Sequence, residues 1–237
     1  MAWDSYLEKN QDRFVAELRS FISIPSVSAA HEHFEDVVKA GEWVASKLQS
    51  IGISNARLMK TQTHPVVYGD WLHAGENKPT ILIYGHFDVQ PADPYDLWDS
   101  PPFEPLVKDG KIYGRGASDD KGNMLAPILA IEALLSSDGK LPVNVKFFYE
   151  GQEEIGSPTI GPFIKDNIEL LKADMIFSSD GGQWSEDQPS LVYALRGLVG
   201  CEITVTGASG DQHSGTHGGG IANPIHALSH LIASMKD

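Results

Sequence analysis

The stretch Ile81-Leu82-Ile83-Tyr84-Gly85-His86-Phe87-Asp88 decides the fold. An apolar run suited to a buried strand leads straight into an imidazole and a carboxylate. The pattern recurs twice. Val145-Lys146-Phe147-Phe148-Tyr149 runs into Glu150-Gly151-Gln152-Glu153-Glu154, and Met175-Ile176-Phe177 runs into Ser178-Ser179-Asp180-Gly181-Gly182. In open α/β sheets, sites form beyond the carboxyl ends of strands. The three ends are therefore expected to bring His86, Glu153, Glu154 and Asp180 together.

Helices fill the spaces between these strands. Leu7, Phe14, Val15, Leu18, Phe21 and Ile22 fall mostly at helical spacing, and Pro25 breaks that helix. A second helix is predicted from about Glu32 to Ser50, with Phe34, Val37, Val38, Val44 and Leu48 inward and Gly52 as its C-terminal cap. Pro65–Leu72 reads as a further strand, and Asp109-Gly110 turns a hairpin that ends at Ile112 and Tyr113. Helices are predicted over Asp120–Ser136 and Thr159–Leu171. This alternation of strands and helices argues for an α/β sheet layered with helices. Leu198–Thr206 is a β-type run, followed by a glycine-rich loop and a helix from about Asn223 to Met235. A lone strand and helix cannot bury a core. A second, interrupted domain is therefore expected from about residue 195.

Composition excludes several function classes. The 237 residues carry 32 acidic and 18 basic side chains, a formal charge of −14, which repels nucleic-acid phosphates and anionic lipid. No apolar run approaches the ~20 residues of a membrane helix, and the N-terminus lacks a signal pattern. The single cysteine, Cys201, allows no internal disulfide, so a cytoplasmic setting is expected. Cys201 lies in the β-type run and reads as a buried, inert thiol.

Gly114-Arg115-Gly116-Ala117-Ser118-Asp119-Asp120-Lys121-Gly122 places two aspartates at a helix start. Helix capping explains one of them well and two less well. Imidazole with several carboxylates suits zinc, manganese or cobalt better than calcium. His86 and Asp88 point the same way on extended backbone, which lets Asp88 accept a hydrogen bond from the imidazole. Extended backbone at Glu153-Glu154 would part their side chains, leaving one for metal and one to take a proton from water. Three other motifs fail. His31-Glu32-His33-Phe34-Glu35 lacks the second zincin histidine, Gly207-Ala208-Ser209-Gly210-Asp211 lacks the last glycine of a nucleophile elbow, and Gly114-Arg115-Gly116 lacks the third glycine of a dinucleotide fingerprint.

Gly85-His86-Phe87-Asp88-Val89-Gln90-Pro91, the Gly114–Gly122 segment and Glu153-Glu154-Ile155-Gly156-Ser157 together resemble the cocatalytic dizinc family of carnosinase, glutamate carboxypeptidase, acetylornithine deacetylase, succinyl-diaminopimelate desuccinylase and aminoacylase. Asp119–Gly122 and the stretch Trp98–Pro105 resemble its dipeptidase and carnosinase branch most. The resemblance implies a helix-flanked mixed β-sheet catalytic domain over residues 1–194. The start of an α+β lid or dimerisation domain is implied over 195–237. It implies two divalent ions, zinc before manganese or cobalt, and hydrolysis of amide bonds in dipeptides or short peptides by water bridging those ions.

Site roles follow from the same resemblance. His86 and Asp180 are implied as ligands of one zinc, Glu154 as a ligand of the second and Asp119 as the bridging carboxylate, with a cis bond between Asp119 and Asp120. Glu153 is implied as general base and Asp88 as the residue orienting His86. Gly210-Asp211-Gln212-His213-Ser214-Gly215 matches a loop whose histidine stabilises the oxyanion, which makes His213 the candidate. A homodimer through the lid is implied for the full-length protein. The further C-terminal histidine of the family has no match in these residues. One alternative is therefore an inactive metal-binding fragment; the other is an N-acyl amino acid deacylase of the same family, which would share the metal ligands and differ in its substrate pockets.

Overall fold

The structure, a computed structural model, describes residues 2–236. The chain divides into two compact units, Met1–Ser190 and Leu191–Asp237.

The first unit opens with helices α1 (Ala2–Ile22) and α2 (Phe34–Ser50). Gly52 ends α2 at a φ of +86°. Its N–H reaches the Gln49 carbonyl, and the next N–H, of Ile53, reaches Leu48. This is the left-handed stop that glycine favours. Strands β1 (Ser54–Met59), β2 (Val66–Trp71) and β3 (Thr80–His86) follow, then a small hairpin of β4 (Leu106–Lys108) and β5 (Lys111–Tyr113). Helix α3 spans Lys121–Asp138, β6 Asn144–Glu150, α4 Ile160–Asp166, α5 Ile168–Leu171 and β7 Met175–Ser178.

The main sheet has the order β1-β2-β6-β3-β7. β1 and β2 pair antiparallel, β2 pairs antiparallel with β6, and β3 runs parallel to both β6 and β7. The sheet is mixed, as implied. Its strands alternate faces, as the two-residue period requires. Val67, Ile83, Val145, Phe147 and Tyr149 pack with Phe21 of α1, Val44 of α2 and Met124 of α3. Val66, Tyr68, Leu82 and Phe148 pack with Ile160 and Phe163 of α4 and Leu171 of α5. Both faces are covered, and the carboxyl ends of β3, β6 and β7 share one end of the sheet.

The elements depart from expectation at several points. β1 went unread because Ser-Asn-Ala-Arg-Leu-Met offers only Ala56 and Leu58 at alternate positions, too short an apolar pattern to mark a strand; the edge of β2 supplies its partner. The predicted helix over 159–171 breaks at Asn167, whose Nδ2 donates to the Phe163 carbonyl at 2.9 Å and competes with the helix ladder. Phe34 is 40% exposed and leans on His64 rather than entering the core.

In the second unit the described helices are α6 (Ser214–His217) and α7 (Pro224–Ser234), the latter capped by the Asn223 side chain. The β-type run 198–206 forms no strand. Among the described residues of its unit it has no partner strand, and Leu198 and Val199 are 98% and 93% exposed. For the same reason Cys201 is exposed, not buried as expected.

Candidate metal centre

β3 delivers His86 and β6 delivers Glu150 as paired residues at their carboxyl ends. His86 is fully buried. Its Nδ1 lies 3.1 Å from the Asp88 carbonyl oxygen and 3.5 Å from Asp88 Oδ1. Both are acceptors, so Nδ1 carries a proton and Nε2 is left to face the open end of the sheet. Nε2 lies 3.0 Å from Asp119 Oδ1, 3.7 Å from Asp180 Oδ2 and 3.9 Å from Glu153 Oε2.

Local structure places each carboxylate. Asp119 precedes α3 and joins Asp120 through a cis peptide bond. Its side chain is 67% exposed. Asp180 follows β7, and its loop is tied to α3. Pro127 has no N–H to give, which leaves the Asn123 carbonyl without its helical partner. Ser179 Oγ donates to that carbonyl at 2.8 Å, and Asn123 Nδ2 donates to Gly181 O at 2.9 Å. Asp180 is held between these two bonds.

Glu153 and Glu154 lie in a 3-10 turn, Glu153–Ile155, not in the extended backbone considered from sequence. The turn keeps both carboxylates on the side of His86. His86, Glu153 and Glu154 form one group whose donor atoms lie within 4.8 Å of one another; His86, Asp119 and Asp180 form another. Asp88, fully buried, holds the turn: its Oδ1 and Oδ2 accept the N–H groups of Glu153 and Glu154 at 3.2 and 3.1 Å. Gln90 Nε2 donates to Glu154 Oε2 at 2.8 Å.

Burial and clustered carboxylates set the electrostatics of the group. Burial opposes charge on His86, yet Asp88, Asp120 and Glu153 outweigh it and lift its pKa to about 10. Burial, with neighbouring carboxylates, pushes Glu153 and Glu154 above their ordinary values. An imidazole nitrogen and a surplus of carboxylate oxygens suit a divalent ion of the zinc, manganese or cobalt type. The residues present fit such an ion.

Two residues at the site escaped the sequence reading. Asp120 stands at the N-cap position just before α3, but its side chain caps nothing; instead its Oδ2 accepts the His86 N–H at 3.0 Å. Burial, with Asp180 and Asp119 nearby, raises its pKa to about 7. The aspartate doublet was the signal that capping explained only half. Glu150 is buried and accepts the hydroxyls of Tyr84 at 2.7 Å and Ser157 at 3.0 Å. His213 lies in the second unit at the start of α6, where its Nδ1 accepts the Gly215 N–H at 3.1 Å.

The profile described as peptidase family M20/M25/M40 matches residues 82–221. The chain is 36% identical to the Cys-Gly metallodipeptidase dug1 of Schizosaccharomyces pombe, over 97% of this chain and 50% of that protein. It is 34% identical to the Beta-Ala-His dipeptidase of Mus musculus, over 98% of this chain and 50% of that protein. Among solved structures, the di-peptidase Dug1p from Saccharomyces cerevisiae superposes with a TM-score of 0.81 at 28% identity, covering 100% of this chain and 52% of that one. Human carnosine dipeptidase 1 gives 0.73 at 30%, covering 97% and 51%. The chain spans about half the length of the curated relatives it matches. These relatives match the dipeptidase and carnosinase branch, and the chain belongs to peptidase family M20/M25/M40.

Proposed function

We propose that the protein is a metal-dependent peptidase that hydrolyses the amide bond of dipeptides or short peptides. The observation that carries this reading is His86 Nε2, turned toward Asp119, Asp180 and Glu153 at the carboxyl end of the sheet. In this reading His86 and Asp180 would hold one divalent ion and Glu154 a second, with Asp119 as the carboxylate shared between them. Zinc is the first choice, with manganese or cobalt as alternatives. Bound there, the ions polarise the scissile carbonyl and make water more acidic.

The remaining steps belong to the chain. Glu153 takes a proton from the attacking water and passes it to the leaving amine. Burial and the neighbouring carboxylates of Glu154, Asp180 and Asp88 raise its pKa against the pull of His86, which strengthens it as a base. Asp88 fixes the tautomer and orientation of His86. Residues 1–194 serve as the catalytic domain and 195–237 as the beginning of a lid, from which His213 donates to the developing oxyanion. A homodimer through that lid and a cytoplasmic setting complete the proposal. The relatives named as dipeptidases support small peptides as substrates.

Glu153→Gln tests the assignment. The variant is expected to keep its bound metal, measured by elemental analysis after dialysis, and to lose dipeptide hydrolysis by about 100-fold or more. Turnover at the level of the unsubstituted protein would overturn the role of Glu153.

A further inference from the structure

Gln152 is fully buried one residue before Glu153, and the roles above give it no chemistry. Its side-chain amide is nevertheless fully engaged. Oε1 accepts the Thr63 hydroxyl at 2.7 Å, the Thr159 hydroxyl at 2.9 Å and the Thr159 N–H at 3.1 Å. Nε2 donates to Thr61 Oγ1 at 3.3 Å and to the His64 carbonyl at 3.2 Å. Thr61, Thr63 and His64 lie in the loop entering β2, and Thr159 stands just before α4.

The backbone of Gln152 closes the same loop. Its carbonyl accepts the N–H of Ile155 at 3.3 Å and of Ser157 at 2.9 Å. The segment 152–159 thus leaves from and returns to a single side chain, and Glu153 and Glu154 are its first residues after Gln152. On their other side, Asp88 holds their N–H groups. The turn is gripped by a carboxylate on one side and a neutral amide on the other.

We propose that Gln152 is a positioning residue of the metal centre: its buried amide, tied to Thr61, Thr63, His64 and Thr159, fixes the turn that presents Glu153 and Glu154 to His86. The inference rests on the reading of those two glutamates as working carboxylates of the centre. A buried amide must have its donors and acceptors satisfied. Here they are satisfied by two separate segments, so any rotation of the turn would orphan several polar groups at once. Hydrogen bonds that orient a metal site from behind commonly govern its affinity.

The test uses the 237-residue chain, cobalt(II) as the probe ion and visible absorption as the readout. Amide hydrogen exchange and thermal unfolding are followed alongside. Gln152→Met keeps the length of the side chain and removes its hydrogen bonds. It is expected to speed exchange at residues 153–157 while β3 and β6 stay protected, and to weaken cobalt binding by about 10- to 100-fold. Thr63→Val removes the shortest of the bonds and is expected to act in the same direction with a smaller effect, which keeps the test open if Gln152→Met folds poorly. Unchanged cobalt affinity, or exchange that rises equally across β3, β6 and the turn, would overturn the proposal. A wild-type chain that takes up no cobalt would refute the metal centre itself, and this inference with it. A cobalt-binding wild type with an indifferent Gln152→Met variant would refute the positioning role alone.

Discussion

His86 meets Asp88 twice through one nitrogen: Nδ1 lies 3.1 Å from the Asp88 carbonyl oxygen and 3.5 Å from its carboxylate. That carboxylate also accepts the N–H groups of Glu153 and Glu154. Asp88 therefore couples the imidazole of β3 to the turn after β6. Both side chains are fully buried, so water does not compete for these bonds.

Asp88→Asn replaces an anionic acceptor by an amide that offers one acceptor atom and a pair of donors. At least one N–H of the turn, or the imidazole, loses its partner. Zinc affinity is expected to fall by about 10- to 100-fold. Competition against a chromophoric chelator measures the change.

Zinc is expected to stabilise the folded chain, because the cluster of donors exists only when β3, β6 and β7 are assembled. At 100 times the dissociation constant the gain is about 2.7 kcal/mol. Thermal unfolding with and without excess zinc should show the rise, and chelator should reverse it. His86→Ala is expected to abolish it.

Gly85→Ala tests how closely Asp120 is packed behind His86. An added Cβ would stand 2.6 Å from Asp120 Oδ2 and 3.0 Å from Met124 Cβ. Asp120 is the acceptor for the His86 N–H, so it cannot move aside without releasing that bond. Overpacking of this kind costs about 1–3 kcal/mol, which urea unfolding will measure.

Acid stability depends on Glu132, which ties three helices together. Its carboxylate accepts from Tyr6 Oη at 2.8 Å, Arg13 Nη2 at 2.5 Å and Lys47 Nζ at 2.6 Å. Burial pushes its pKa up, but these hydrogen bonds outweigh burial and hold it below the ordinary value. A carboxyl lowered by folding contributes stability that is present above its unfolded value, about 4.3, and is lost as pH falls through the folded value. Glu132→Gln is expected to destabilise at neutral pH, toward the lower end of about 3–5 kcal/mol, because Glu17 still pairs with Lys47. Urea midpoints across pH 3–7 should fall less steeply toward acid in the variant.

Legibility in the sequence followed physical periodicity. β2, β3, β6 and β7 were readable because apolar runs mark buried strands, and α2 because Gly52 could stop it. β1 was not, since Ser54–Met59 offers only Ala56 and Leu58 as alternating apolar residues and finds its place on the free edge of β2. Residues 198–206 show the converse: a strand-like pattern with no partner in its unit stays open. At the site, the strand-end pattern pointed to His86, Glu153, Glu154 and Asp180; the doublet marked Asp119 and Asp120 together, and only the family resemblance singled out Asp119. The Asp120 contact with the His86 N–H and the amide network of Gln152 could not be read, because polar residues in loops carry no period and their partners come from distant segments.

The gathering of carboxylates around one imidazole sets durability against chemistry. Glu153 is raised by burial and by the charges of Glu154, Asp180 and Asp88, and Glu154 by burial and by those of Asp119 and Asp88, so without an ion their charged forms are at odds with the fold that holds them. Neutralising either relieves that conflict and, on the proposed roles, removes a working group in the same stroke. A directed-evolution campaign on the ion-free chain, screened for heat resistance alone, would be drawn to these positions first and would deliver a sturdier protein with its chemistry erased.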